Sequence, residues 1–132
     1  MTQLIIPTLK SPSEGKLFPS NECFFPKILT EINGEALLRK VIRNIIFNTE
    51  ISSIILIAEK GVLLKYSLEK VCDFNGFPNV KTVSVEGKTS GALCTLLLSI
   101  DLMNKDEDII VANNDIIHSH NIQNSIDHFK NK

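Results

Sequence analysis

Two carboxamides and a carboxylate, Asn113, Asn114 and Asp115, directly follow the apolar segment "DIIVA" at residues 108–112. Such a segment predicts a buried strand, and ligands of parallel sheets bind outside the carboxyl ends of strands. An aspartate at that position can hold Mg²⁺ through one oxygen, while water and substrate phosphates supply the other ligands. The alternative is structural, because Asn and Asp also start turns and cap the next helix.

Two histidines, His118 and His120, follow closely and could join Asp115 in a small transition-metal cluster. In an extended segment, however, residues i and i+2 point to opposite sides. We therefore interpret both histidines as surface residues.

The apolar pattern predicts the elements that position these residues. Segments with the length and composition of strands are "QLIIP" (3–7), "SIILIA" (53–58), buried on both faces, and "VKTVSV" (80–85), nearer a sheet edge. "ILTEING" (28–34) predicts a short extended segment closed by an Asn-Gly turn. Helical spacing predicts helices at Glu35–Asn48, from Gly61 to about Asp73, at "SGALCTLLLSIDLM" (90–103), packed on two sides, and around Ile122, Ile126 and Phe129.

Strands and helices thus alternate along the chain, which calls for a parallel sheet with helices on both faces. We predict one α/β domain, a layer sandwich that spans residues 1–132. A long stretch from Thr8 to about Pro26 interrupts the first strand–helix unit, and its prolines disfavour a helix or a central strand. A loop of that length in a small domain is usually functional or disordered.

Composition narrows the class of partner and compartment. The net charge of −1 gives no electrostatic reason to expect nucleic acid or anionic lipid as the main partner. No signal-peptide core and no apolar run of about 18 residues is present, so we expect neither export nor membrane spanning. Cys23, Cys72 and Cys94 have no C-x-x-C spacing, which indicates free cysteines in a reducing cytoplasm. We expect Cys72 and Cys94 in the core.

Three segments together resemble the nucleotidyltransferase family that makes nucleotide-sugars and related activated headgroups. They are "LIIP" followed by a loop and "FPKILTEINGEALLRKVIRNI", then "VEGKTSGALCTLLLSIDLM", and finally "DEDIIVANNDIIH". They are similar to the family's first strand with its Pro-Lys pair and first helix, its Thr-x-Gly-Ala stretch, and its strand ending in a metal-binding aspartate. The resemblance is closest to the capsule and surface-polysaccharide branch, and it implies a Rossmann-like three-layer α/β/α sandwich with a mostly parallel sheet.

The resemblance also implies roles for individual residues. Catalysis would involve Lys27, whose ammonium lies against phosphate, and Asp115, which holds Mg²⁺ and so positions a nucleoside triphosphate. Gly91 would permit close approach of the backbone to the nucleoside. A sugar phosphate or similar acceptor would complete the reaction. The implied nucleotide-binding residues are Pro7, Lys16, Thr89, Gly91, Ala92 and Asn114. Structural alternatives are a solvated surface lysine at position 27 and simple helix capping by Ser90.

The chain departs from the family in two places. Its loop "TLKSPSEGKLFPSNECFFPK" has one glycine, Gly15, and no arginine, where the family has a glycine-rich run with an arginine. Pro12 and Pro19 also remove amide donors that an anion cradle would use. The family continues beyond a position equivalent to Lys132, so we expect this chain to be the N-terminal, nucleotide-binding half of the fold.

Two functions from different classes remain open. The first is a nucleotidyltransferase-like protein that binds a nucleoside triphosphate with Mg²⁺. The second is a catalytically inactive relative that serves as a binding or assembly module. In either case we expect exposed apolar surface that self-association would cover. A dinucleotide-binding domain is disfavoured because no G-x-G-x-x-G follows the first strand.

Overall fold

The structure of the protein is a computed structural model, and it describes residues 1–8, 27–47, 49–60, 77, 79–86 and 90–132. The strands are β1 (Thr2–Pro7), β2 (Glu31–Ile32), β3 (Glu35–Ala36), β4 (Ile51–Glu59), β5 (Asn79–Val85) and β6 (Asp108–Val111). The helices are α1 (Leu37–Ile46), α2 (Ala92–Leu97) and α3 (Ile122–Lys130), with short 3₁₀ helices at Lys27–Leu29 and Ile100–Leu102. The helix predicted from Gly61 to about Asp73 lies outside the described residues, as do Cys23 and Cys72.

The short hairpin before α1 confirms the predicted Asn-Gly turn. Strands β2 and β3 are antiparallel, with Glu31 opposite Ala36 and Ile32 opposite Glu35. Asn33 and Gly34 between them both have positive φ, 54° and 80°. Two consecutive residues with positive φ are what a tight hairpin turn requires, and Asn and Gly adopt them at the lowest cost.

The main sheet has the order β5-β4-β1-β6 among the described strands, and all its neighbouring pairs are parallel. Strands β1, β4 and β5 follow one another in one direction across the sheet, whereas β6 lies on the other side of β1. The strand order therefore reverses between β1 and β6. The strand predicted near a sheet edge is β5, and the structure confirms that position.

Alternate residues of β1 and β4 form two separate apolar cores, one on each face of the sheet. On one face, Leu4 and Leu56 pack with the buried side of α1, and Ile122 of α3 lies against the same cluster. On the other face, Ile5 and Ile55 pack with residues that include Leu96 of α2. Burial on both faces explains why these strands read as continuous apolar runs. The predicted α/β/α layer arrangement is confirmed.

Two elements are more exposed than their sequences predict. Strand β6 was expected to be buried, but among the described strands it is the outermost on its side of the sheet, and Ile109 and Val111 are 46% and 51% exposed. The predicted helix at 90–103 is interrupted after Leu97 and continues as the 3₁₀ helix. Its outer residues Leu93, Leu97, Leu98 and Ile100 are exposed, so no described element covers its second side.

The prediction that Cys94 lies in the core is wrong for the same reason. Cys94 lies on the exposed side of α2 and is a free, exposed thiol. Phe129 lies on α3 as predicted, yet 81% of its surface is exposed. Periodicity identified these helices correctly, but it could not show which apolar sides the described chain leaves uncovered.

Candidate functional site

The carboxyl ends of β1 and β6 lie side by side at the point where the strand order reverses. Ile5 is in register with Val111, and the Ala112 N–H donates to the Ile5 carbonyl at 3.0 Å. The chain segments that follow the two strands therefore begin next to each other, at the carboxyl end of the sheet. Crevices at such reversals are where open α/β sheets bind ligands.

Thr8 directs the chain as it leaves β1. Its N–H and its hydroxyl both donate to the Ile57 carbonyl of β4, at 2.6 and 2.7 Å, and the residue is buried. The first residue after Pro7 is thus tied to the neighbouring strand. Local sequence points to Pro7 but not to Thr8, since a threonine after a strand ordinarily signals only a turn.

The three polar residues after β6 differ in exposure. Asn114 is half-buried, whereas Asn113 and Asp115 are exposed. Helix α3 is capped by Asn121, whose side chain accepts from the Gln123 N–H at 2.9 Å. The interpretation of Asp115 as the cap of the next helix is therefore wrong. Exposure of Asp115 leaves room for the water ligands that Mg²⁺ keeps when a carboxylate binds it.

The start of α2 contains two of the predicted nucleotide-binding residues. Gly91 is the N-cap with φ 150° and ψ 178°, and Ala92 is the first helical residue. Because Gly91, and not Ser90, occupies the N-cap position, the alternative in which Ser90 is the N-cap is wrong. The buried Thr95 donates its N–H and its hydroxyl to the Gly91 carbonyl, both at 3.1 Å, which anchors this turn of the chain.

Of the predicted residues Lys16, Lys27 and Thr89, the structure describes Lys27. Lys27 begins the 3₁₀ helix Lys27–Leu29, and its neighbours Ile28 and Leu29 are buried against α1. The main chain of Lys27 is therefore anchored on the same face of the sheet as α1. Lys16 and Thr89 lie outside the described residues.

A cavity of about 230 Å³ lies beside the end of β6, between the sheet, α1 and the start of α3. Its lining includes Ile45, Ile110, Asn113, His118 and His120. The two imidazole rings are in edge-to-face contact, with centroids 5.3 Å apart, so the expectation that they point to opposite sides is wrong. The segment is not an extended strand, and the period of two does not apply to it.

A second feature that the sequence analysis missed is Asn44 of α1. Its side chain makes two hydrogen bonds to the backbone of His118, at 2.8 and 2.9 Å. An asparagine on a helix beside apolar positions gives no local signal for a contact 74 residues away.

The described residues do not form a preformed metal cage. No group of three or more His, Cys, Asp or Glu side chains in that part of the chain is arranged to hold a metal ion. A site for Mg²⁺ would therefore rely on Asp115, water and the phosphates of a ligand.

None of the helices in the described ranges has the length and apolar character that a membrane span requires.

Comparison with solved structures identifies the fold. A proposed glucose-1-phosphate thymidylyltransferase from Bacillus anthracis, crystallised with sucrose, matches 99% of this chain at 18% identity with a TM-score of 0.71. A 4-diphosphocytidyl-2C-methyl-D-erythritol synthase from Anaerococcus prevotii DSM 20548 matches 86% of it at 12% identity with a TM-score of 0.57. No protein-family model matches the chain, and no curated protein matches it in sequence.

These structures confirm the predicted Rossmann-like, nucleotidyltransferase-type fold. The chain spans about half the length of the solved structures it matches, 51% of the first and 42% of the second. At such low identity the similarity concerns the arrangement of elements and not the chemistry of individual residues.

Proposed function

We propose that the chain binds a nucleoside triphosphate together with Mg²⁺ in the crevice between the carboxyl ends of β1 and β6. The observation that carries this proposal is the reversal of strand order there, because the polar segment that begins at Asn113 leaves β6 beside the end of β1. We further propose that residues 1–132 correspond to the nucleotide-binding half of a nucleotidyltransferase, in a family that makes nucleotide-sugars or activated headgroups for surface polysaccharide.

Each site residue has a task in this proposal. Asp115 holds Mg²⁺ through a carboxylate oxygen, and Asn114 beside it offers a carboxamide to the nucleotide. Gly91 and Ala92 let the backbone approach the nucleoside, and Pro7 ends the strand below it. Bound Mg²⁺ would neutralise triphosphate charge. Lys27 and Lys16 stabilise charge on the phosphates, and Thr89 lies close to the nucleoside.

The names of the matched structures support this proposal. One protein is described as a thymidylyltransferase for glucose 1-phosphate and the other as a diphosphocytidyl-methylerythritol synthase. The first name contains a thymidylyl group and a sugar phosphate, and the second contains a diphosphocytidyl group. A nucleoside triphosphate and a sugar phosphate are therefore the ligand classes to test first.

The test of binding is calorimetry of Mg²⁺–nucleoside triphosphates with Asp115→Asn and the matched control Asp106→Asn. Asp106 is an exposed aspartate that precedes β6, at the opposite end of that strand from Asp115. We expect Asp115→Asn to lower the Mg²⁺-dependent affinity at least ~10-fold, equivalent to about 1.4 kcal/mol, without changing the melting temperature. Asp106→Asn should bind like the unmodified protein. If Asp115→Asn and the unmodified protein bind the triphosphate with equal affinity, both with and without Mg²⁺, the metal role is wrong.

The loop composition favours a second candidate, a catalytically inactive relative that binds without turnover. Between residues 8 and 26 the chain has one glycine and no arginine. Loss of one donor to a transferring group commonly costs about 10²–10³ in rate. Pyrophosphate release with a panel of nucleoside triphosphates and sugar phosphates distinguishes the two. Turnover of about 1–10³ per second that Lys27→Ala abolishes would establish an enzyme, and binding without turnover would establish the second candidate.

A further inference from the structure

The backbone of His118 is held by the side chain of Asn44. The Asn44 amide donates to the His118 carbonyl at 2.9 Å, and the Asn44 carbonyl oxygen accepts from the His118 N–H at 2.8 Å. One carboxamide thus satisfies both polar groups of a residue that lies outside any helix or strand. Only a side chain with a donor and an acceptor side by side can do this.

The position of Asn44 on α1 makes this contact rigid. The neighbouring residues Val41 and Ile45 are buried against the sheet, and Asn44 is half-buried at the border of that apolar side. Helix α1 packs on β1 and β4, so the helix is part of the core that also holds the end of β1. Asn44 therefore connects the segment after β6 to the body of the domain.

Apolar packing contributes little to holding the segment after β6 against the domain. The segment around Ile116–His120 and the side chains of Ile45 and Ile110 line one cavity of about 230 Å³. Strand β6 itself pairs with β1 and with no other described strand. A segment that lies over a cavity at a sheet edge has few packed contacts to fix its position.

We propose that Asn44 is a positioning residue that fixes the segment Asn113–His118 and thereby places the carboxylate of Asp115 beside the end of β1. Asp115 lies three residues before His118 in the chain. Motion of the His118 backbone therefore also moves the carboxylate of Asp115. The effect on ligand binding rests on the function proposed above. The effect on the segment itself does not, and the two are measured separately.

The chain contains a matched control for this experiment. Gln3 makes the same pair of hydrogen bonds to the backbone of Asn104, at 2.7 and 2.8 Å, but before β6 rather than after it. Gln3→Leu removes two carboxamide bonds that do not touch the site. Asn44→Leu removes two that hold the site segment, and Asn44→Asp retains the acceptor for the His118 N–H.

The first readout is amide hydrogen exchange without nucleotide. We expect Asn44→Leu to accelerate exchange from Asn113 to His118 at least ~10-fold relative to the rest of the domain, with a smaller effect for Asn44→Asp. Gln3→Leu should not accelerate exchange from Asn113 to His118 relative to the rest of the domain. Unchanged exchange in Asn44→Leu would overturn the positioning role, whatever the nucleotide measurements show.

The second readout is affinity for Mg²⁺–nucleoside triphosphate, compared with affinity without Mg²⁺. Asn44→Leu should lose about 10-fold in the Mg²⁺-dependent part only, Asn44→Asp should lose less, and Gln3→Leu should lose stability but no affinity. Equal losses of affinity in Asn44→Leu and Gln3→Leu would show that Asn44 has a structural role only. If the unmodified protein binds no nucleotide while exchange responds as expected, the proposed function is wrong and the positioning of the segment stands.

Discussion

The fully buried side chain of Gln3 in β1 forms hydrogen bonds with the backbone of Asn104, 101 residues later in the chain. Its amide donates to the Asn104 carbonyl at 2.7 Å, and its oxygen accepts from the Asn104 N–H at 2.8 Å. Together with the Asn44–His118 contact, this places one carboxamide clamp before β6 and one after it. A strand of four residues at a sheet edge is thereby held at both ends.

We predict that Gln3→Leu destabilises the domain by roughly 1–3 kcal/mol, because polar groups near the core lose their partner. Urea unfolding followed by circular dichroism measures the change. The control is Gln123→Leu, whose side chain bonds Asp127 at an exposed position of α3 and should change stability by under about 0.5 kcal/mol. Equal changes in the two variants would contradict the role of Gln3.

We predict that Gly91→Asn costs roughly 1–3 kcal/mol of stability, because φ 150° with ψ 178° is a conformation that essentially only glycine adopts. The cost is conformational, since an added Cβ would meet no atom within 4 Å. Gly34→Asn is the control, because φ 80° in the hairpin turn is a region that asparagine tolerates. Thermal unfolding of both variants checks this, and a cost at Gly34 as large as that at Gly91 would refute the argument.

We predict that Asp108, which lies 2.8 Å from the Lys130 ammonium, contributes folding stability that is lost at acidic pH. The hydrogen bond and the charge of Lys130 lower the pKa of Asp108, and the same contact raises the pKa of Lys130. A lowered folded-state pKa means that the stabilisation is complete above about pH 4 and is lost as the pH falls through the lowered value. Both groups are exposed, so the effect is small and weakens with added salt.

The measurement for Asp108 is its carboxyl titration by NMR in Lys130→Gln. We expect the pKa of Asp108 to rise toward the ordinary aspartate value when Lys130 is replaced. Lys132→Gln removes a neighbouring exposed charge and should leave the titration where it was. No difference between the two variants would show that the contact does not persist in solution.

We predict that the outer edge of β6 promotes self-association. Ile109, Val111 and Phe129 are exposed there, and a groove of about 380 Å³ runs between β6 and α3. An exposed apolar edge strand is prone to pair with another chain. Val111→Lys should lower hydrophobic-dye binding and the average mass at high concentration in light scattering. Ile32→Lys, an exposed apolar position of the hairpin, should change neither. A monomeric unmodified protein that binds no dye would refute the prediction.

Much of the fold follows from local sequence. The continuous apolar run at Ile54–Ala58 requires a strand covered on both faces, and the Asn33–Gly34 pair requires a tight turn. The alternation of strands and helices requires a parallel sheet, and the polar break after Val111 marks the end of a strand. These features are encoded by neighbours in the chain, within the period of a helix or a strand.

The tertiary structure alone decided which strands are neighbours and which side chains meet. Local periodicity does not say that β6 pairs with β1, yet that pairing puts Asn113–Asp115 at the reversal of strand order and leaves Ile109 and Val111 exposed. The Asn44–His118 and Gln3–Asn104 contacts join residues 74 and 101 positions apart. Such contacts depend on how whole elements pack, because a carboxamide has the same local propensity whether its partner is water or a distant backbone.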